Sequence, residues 1–194
     1  MSDLKLIANF FFEVGMLSHT PRSGFHFLGS GEQSVAEHCN RTVYIGYTLG
    51  MLDGTVDVGK IMKMCLFHDL AEGRASDLNY VHQKYTKRDE HRAIDDLAQT
   101  LPFGKDIKDA FLEQEEKQTK EALYVKDADN LEFILSLKEQ LDIGNMRAKD
   151  WILASVKRLK TEIAQQIAEE ILKTDSDAWW FGDKEDQWWV DRTG

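Results

Sequence analysis

Residues 34–54 read Ser34-Val35-Ala36-Glu37-His38-Cys39-Asn40-Arg41-Thr42-Val43-Tyr44-Ile45-Gly46-Tyr47-Thr48-Leu49-Gly50-Met51-Leu52-Asp53-Gly54. Ser34 followed three positions later by Glu37 is the spacing at which two side chains and two backbone amides satisfy each other at a helix start. A helix therefore opens there. Val35, Cys39, Val43, Ile45 and Leu49 form its apolar set, and Asp53-Gly54 stops it. Inside that set stands His38, and an imidazole in an apolar surround is costly unless something binds it. A core hydrogen bond would satisfy a lone histidine; company would point to a ligand.

The same signals recur in both directions along the chain. Upstream, Asp3 can cap a first helix whose Leu4, Ile7, Ala8, Phe11 and Phe12 share a face, and a loop holding Pro21 and Gly24 runs from about Ser18 to Gln33. Downstream, Asp57 caps an apolar helix through Ile61, Met64, Cys65 and Leu66 to His68-Asp69. Thr86 with Asp89 starts another through Ile94 and Leu97, and a short helix follows from Lys105 to Glu116. Thr119 opens a long one through Val125, Leu131, Ile134 and Leu137, ended by Gly144, and a last long helix is expected over Ala148 to Lys173. No segment alternates strictly with a period of two. The fold class is all-α, one domain of about six to eight helices over residues 1–173. Residues 174–194 form a separate tail in which Trp179-Trp180-Phe181 and Trp188-Trp189-Val190 flank an acidic spacer, so that four of the 5 tryptophans lie in the last sixteen residues. Rings this dense are expected to pack on the domain or on a partner subunit.

Composition narrows the function classes. With 194 residues there is room for one domain, and only 2 prolines leave long stretches open to helix. Lys+Arg 24 against Asp+Glu 34 gives a net charge of −10, which offers no overall attraction to a nucleic-acid polymer. Any phosphate must be met locally. The 2 cysteines, Cys39 and Cys65, fall in apolar segments and are expected reduced and buried. No apolar run reaches membrane-spanning length, and the amphipathic opening lacks a basic lead region, so no membrane partner and a cytoplasmic location are expected.

His38 does have company. His68 sits where the third helix runs into a loop, with Asp69 beside it, and Asp129 lies near the buried stripe of the long helix, four residues from Val125 and from Phe133. Two imidazoles and two carboxylates from three helices form a mixed nitrogen and oxygen set suited to a divalent ion, with positions left open.

These residues, read in order, resemble the HD-domain metal-dependent phosphohydrolases, and most closely their 5′-deoxynucleotidase branch. The resemblance rests on Thr20-Pro21-Arg22-Ser23-Gly24-Phe25, on Ser34-Val35-Ala36-Glu37-His38, on Phe67-His68-Asp69-Leu70-Ala71-Glu72 with Asp77, and on Val125-Lys126-Asp127-Ala128-Asp129. It spans roughly residues 5 to 140. It implies an HD-domain helical bundle, commonly a homodimer, that holds one divalent metal ion per site through His38, His68, Asp69 and Asp129. Cobalt, manganese, zinc, iron, nickel and magnesium are not distinguished by the sequence. Glu72 and Asp77 match catalytic acids, and Arg22 matches a residue that grips the substrate phosphate, a task its planar fork suits. Phe25 stands where relatives often have Trp. Lys126 adds positive charge or forms a salt bridge. The implied activity is release of phosphate from (deoxy)ribonucleoside 5′-monophosphates by direct attack of water.

Alarmone hydrolases carry an adjacent Glu-Asp where this chain has Glu72-Gly73, and the two-metal enzymes of the superfamily need further histidines that the segment around His91 and Glu115 does not supply. A nucleoside-triphosphate hydrolase would use the same ligands. A catalytically silent nucleotide-binding module would have no chemical need for the full set.

Overall fold

The computed structural model describes residues 3–191. Among these there is no β-strand, only one isolated bridge between Pro21 and Ser34. Eight helices of nine residues or more make the body: α1 (Asp3–Gly15), α2 (Val35–Asp53), α3 (Val58–Phe67), α4 (Glu90–Ala98), α5 (Gly104–Glu116), α6 (Lys120–Asp142), α7 (Ala148–Val156) and α8 (Glu162–Lys173). Single turns such as Phe25–Leu28, Glu72–Ala75 and Tyr80–Gln83 lie in the connections.

The expected caps are in place. Ser34 and Glu37 form the reciprocal capping box of α2, Asp57 accepts from the amide of Lys60, and Thr119 accepts from the amide of Ala122. The axis of the domain is α6, whose Val125, Ala128, Leu131, Ile134 and Leu137 are fully buried. It packs against α2, α3, α5, α7 and α8. Each such side chain withdrawn from water contributes roughly 1.5–3 kcal/mol before entropy is counted. A second core of Val35, Cys39, Leu70, Ile94, Leu97 and Phe111 gathers where the start of α2 meets α4 and α5, and Phe67 touches both cores. The end of α3, where His68 sits, lies on that seam. The two cysteines are free and buried.

Three expectations need correction. The single long helix over Ala148 to Lys173 is two helices, because the buried carboxylate of Asp127 accepts from the amides of Lys160 and Thr161 at 2.7 Å and from the Thr161 hydroxyl at 2.7 Å, and Thr161 then caps α8. Helix α4 starts at Glu90, not at Thr86, since Asp89 supplies the cap by accepting from Arg92. Helix α3 ends at Phe67 with His68 as its cap, close to the expected end, and tight turns with the Leu70 amide bonded to Phe67 and the Glu72 amide to Asp69 follow. On α1 the expected stripe is rotated out, with Leu4, Phe11 and Phe12 exposed while Ile7 and Phe10 pack on the second core. A forked ion pair between Arg74 and Glu13 fixes that rotation.

The tail forms its own aromatic cluster. Trp180 stacks on Phe181 with centroids 5.3 Å apart, and Trp189 meets Phe181 edge-on at 4.7 Å. Trp179 is 86% exposed, and the tail's first tie to the domain is the Ser176 amide donating to Asp142. Residues 192–194, and the side chain of Val190, lie outside what is described.

Candidate metal and phosphate site

His38 is held on the inner face of α2, His68 caps the end of α3 with Asp69 following it, and Asp129 projects from α6. Their polar atoms converge. His38 Nε2 lies 3.2 Å from His68 Nε2, 3.5 Å from Asp69 Oδ2 and 3.4 Å from Asp129 Oδ1, and His68 Nε2 lies 3.3 Å from Asp69 Oδ2. His38, His68 and Asp69 meet the mutual spacing of a metal-binding group. Asp129 touches that group through His38 while its other oxygen is drawn 2.6 Å from Lys126 Nζ.

The outer nitrogens decide what the inner ones can do. His68 Nδ1–H donates to the carbonyl of Cys65 at 2.8 Å, an acceptor that can take nothing but a proton donor. His38 Nδ1–H donates to the buried carboxylate of Glu132 at 2.5 Å. In the neutral rings both Nε2 atoms are then lone pairs, aimed at one point beside two carboxylates. Only a cation resolves that arrangement. A proton is drawn there: burial opposes charge on His68, yet Asp69 and Asp129 push its imidazole up to about 9. His68, with His38 and Arg22, in turn holds the Asp69 carboxyl well below its usual range against the pull of burial. The residues therefore fit a divalent ion, and a set of two imidazoles with carboxylates suits a first-row transition metal.

Glu132 was not singled out by the sequence. It is fully buried and also accepts from Arg41 at 2.7 Å and from Gln33 at 2.7 Å. The signal was present, since Glu132 stands one helical turn after Asp129 on the same apolar helix.

Arg22 is carried to the site by the bridge that ties Pro21 to Ser34 and by its amide donating to Gln33. Its Nη1 lies 3.3 Å from Asp69 Oδ2. Burial opposes its charge, but Asp69, Asp129 and Asp77 hold the guanidinium firmly protonated. Asp77 is clasped to the same loop, its Oδ2 accepting from the Ser23 amide at 2.6 Å. Glu72 is buried despite the break in the helix, and burial together with Asp69 and Asp77 pushes its carboxyl up to about 8.

A cavity of about 310 Å³ opens beside these residues. Arg22, Asp69, Glu72, Asp77 and Asp129 form one part of its lining, Phe25, Phe133 and Trp151 an aromatic part, and Lys126 with Arg158 adds positive charge. The structure thus brings Arg22, Phe25, Asp69, Glu72, Asp77, Lys126 and Asp129 to one cleft, with His38 and His68 beside Asp69. It adds Arg88, Trp151 and Arg158, whose types and loop or surface contexts carried no signal. His91, by contrast, is an exposed partner of Glu115 at 2.8 Å.

Comparison with known proteins places this geometry in a family. The profile of the HD domain family matches residues 14–172. The 5′-deoxynucleotidase HDDC2 of Dictyostelium discoideum is 36% identical over 143 residues, covering 66% of this chain and 75% of that one. A conserved hypothetical protein from Pyrococcus furiosus superposes with a TM-score of 0.73 at 29% identity, covering 88% of this chain and 99% of that one. The cyanophage S-2L HD phosphohydrolase DatZ, solved with dA and one catalytic zinc ion, shares the fold at a TM-score of 0.54 and 22% identity, covering 84% of this chain and 96% of that one. By its sequence match and by its helical frame, the chain belongs to the HD domain family.

Proposed function

We propose that this protein is a metal-dependent phosphohydrolase that releases phosphate from (deoxy)ribonucleoside 5′-monophosphates. The observation that carries the reading is the pair of imidazole lone pairs facing each other at 3.2 Å beside Asp69 and Asp129, at the end of a cleft just large enough for a small ligand. The name of the Dictyostelium relative supports the substrate class.

On this reading His38, His68, Asp69 and Asp129 hold one divalent ion. Bound there, it supplies a Lewis acid for a phosphoryl oxygen and makes water more acidic. The chain's own residues do the rest. Arg22, with donors to spare, neutralises charge growing on the phosphoryl oxygens. Glu72 and Asp77 face the cleft from one side and orient the attacking water or take its proton. Phe25, with Phe133 and Trp151, offers an aromatic surface to the nucleoside, and Lys126 keeps Asp129 in place through their 2.6 Å contact. The cleft's acidic walls leave a phosphate to be met locally by the ion and Arg22, which favours a small nucleotide over a polymer backbone.

A homodimer and a cytoplasmic location complete the proposal. An apolar groove of about 1000 Å³ between α1, α2 and α3 carries Phe11, Tyr44, Tyr47 and Leu66, all well exposed, and a second copy of the chain is the partner proposed for it. No helix of the described residues is long and apolar enough to cross a membrane.

The test is metal analysis of purified protein followed by a phosphate-release screen over ribo- and deoxynucleotides. Release from monophosphates that vanishes with chelator and with Asp129→Ala is expected. Turnover of triphosphates alone moves the substrate to a longer phosphate chain, and tight nucleotide binding without any turnover makes the protein a binding module.

A further inference from the structure

We propose that Arg88 is a positioning residue, which clamps Glu72 in the wall of the cleft through one carboxylate oxygen and steadies the turn that presents Asp77. Its catalytic consequence rests on the phosphohydrolase reading; the clamp itself rests on geometry.

Arg88 Nη1 donates to Glu72 Oε1 at 2.5 Å and to the carbonyl of Ser76 at 3.0 Å. Its Nη2 pairs with Glu90 Oε1 at 2.5 Å, at the first residue of α4. The guanidinium is therefore held from the α4 side and holds the other side in turn. Glu72 Oε2 is buried and has no hydrogen-bond partner among the described residues. A buried carboxylate held at one oxygen by a guanidinium that is itself pinned to α4 has little freedom to turn. That unpaired oxygen belongs to a carboxylate in the wall of the cavity that Asp69 and Asp77 also line.

The second contact bears on Asp77. Ser76 has φ 62° and ψ 159°, a conformation that glycine reaches freely and a residue with a side chain does not. Such backbone persists only where its surroundings hold it. Here the Ser76 amide donates to the carbonyl of Glu72 at 2.8 Å, and Arg88 takes the Ser76 carbonyl. The next residue, Asp77, is then met by the Ser23 amide at 2.6 Å. One guanidinium thus touches the side chain of one proposed catalytic carboxylate and the backbone that leads into the other.

The two arginines of the cleft divide the work by their occupancy. Arg22 makes one long side-chain contact, 3.3 Å to Asp69, and keeps donors for an incoming anion. Both terminal nitrogens of Arg88 are already engaged by protein acceptors.

The experiment compares the full chain with Arg88→Ala and Arg88→Lys, loaded with cobalt and assayed for phosphate release from dAMP. Arg88→Ala is expected to lower kcat by about 10²-fold with KM and bound metal nearly unchanged, because a misplaced catalytic group costs rate rather than binding. Added guanidinium ion is expected to restore part of the rate, and Arg88→Lys to fall between. A KM that rises while kcat holds makes Arg88 a phosphate ligand and overturns the proposal, as does an unchanged kcat. A second arm needs no turnover: thermal unfolding of Arg88→Met, Glu72→Gln and the double variant. Shifts that fail to add support the clamp, and additive shifts overturn it. If those shifts couple but the unsubstituted protein releases no phosphate from any nucleotide, the phosphohydrolase reading fails together with the catalytic role given to Arg88, and the clamp alone stands.

Discussion

Glu132 touches nothing that would react, yet the ring of His38 is set by it. Its carboxylate fixes which nitrogen of His38 carries the proton, and Arg41, Gln33 and Ser136 hold that carboxylate in turn. Glu132→Gln is expected to weaken metal affinity by about 10- to 100-fold in a competition titration while leaving the helical circular dichroism intact. Equal affinity would show that the orientation of His38 is set by packing alone. The contrast between this residue and its neighbour Asp129 explains what could be read from the chain. His38, His68 and Asp129 announce themselves because each interrupts an apolar stripe with a group that needs a partner. Glu132 interrupts one too, a turn after Asp129, but that spacing does not name its partner, which lies 94 residues upstream. Arg88 and Arg158 gave less still, since arginine beside a loop is ordinary surface until a fold brings it to a carboxylate or an aromatic ring.

Helix positions were legible where a cap or a breaker stood at the boundary, as at Ser34, Asp57 and Thr119. They were lost where the boundary is imposed from a distance, as by Asp127 between α7 and α8. The same holds for how helices approach. A β-carbon at Gly46 would stand 2.6 Å from Cys65 Sγ and 3.0 Å from Ile61, so α2 and α3 cross closely only because this residue has no side chain. That crossing also sets the distance from His38 to His68, one on each helix. Gly46→Ala is expected to cost about 1–3 kcal/mol of unfolding free energy through overpacking, and to loosen metal binding with it. A variant as stable as the parent would mean that Cys65 and Ile61 yield without moving α3. The far end of α6 is governed by charge. Burial works against the charge on Asp142, but Lys138 and the Ser176 amide hold its carboxyl below the ordinary range. A folded-state pKa below the unfolded one stabilises above the unfolded value, and that stability is lost as pH falls through the folded value. Acidification through and below the usual carboxylate range is therefore expected to free the segment at Ser176 before the helical signal drops. Amide exchange at Ser176 measures it, and Asp142→Asn should remove the pH dependence.

At the scale of the whole molecule, the net charge of −10 is unevenly committed. Asp69, Glu72, Asp77 and Asp129 are gathered around the cleft, while the groove between α1, α2 and α3 is lined by apolar and uncharged residues. That division favours self-association through the groove and leaves the cleft open. The unsubstituted protein is expected to sediment as a dimer, and Tyr44→Asp with Leu66→Asp as a monomer that keeps its helical content; an unsubstituted monomer in sedimentation velocity would overturn the dimer. The tail stands apart from both regions. Trp179, Trp180, Trp188 and Trp189 belong to it, and Trp151 is the one tryptophan that lines the cleft. The chain's ultraviolet emission is therefore mostly a signal from its last turns, so an unfolding curve followed by fluorescence would report on the tail more than on the domain. With the four tail indoles replaced by phenylalanine, the remaining lamp is Trp151, and its quenching reads nucleotide entry directly.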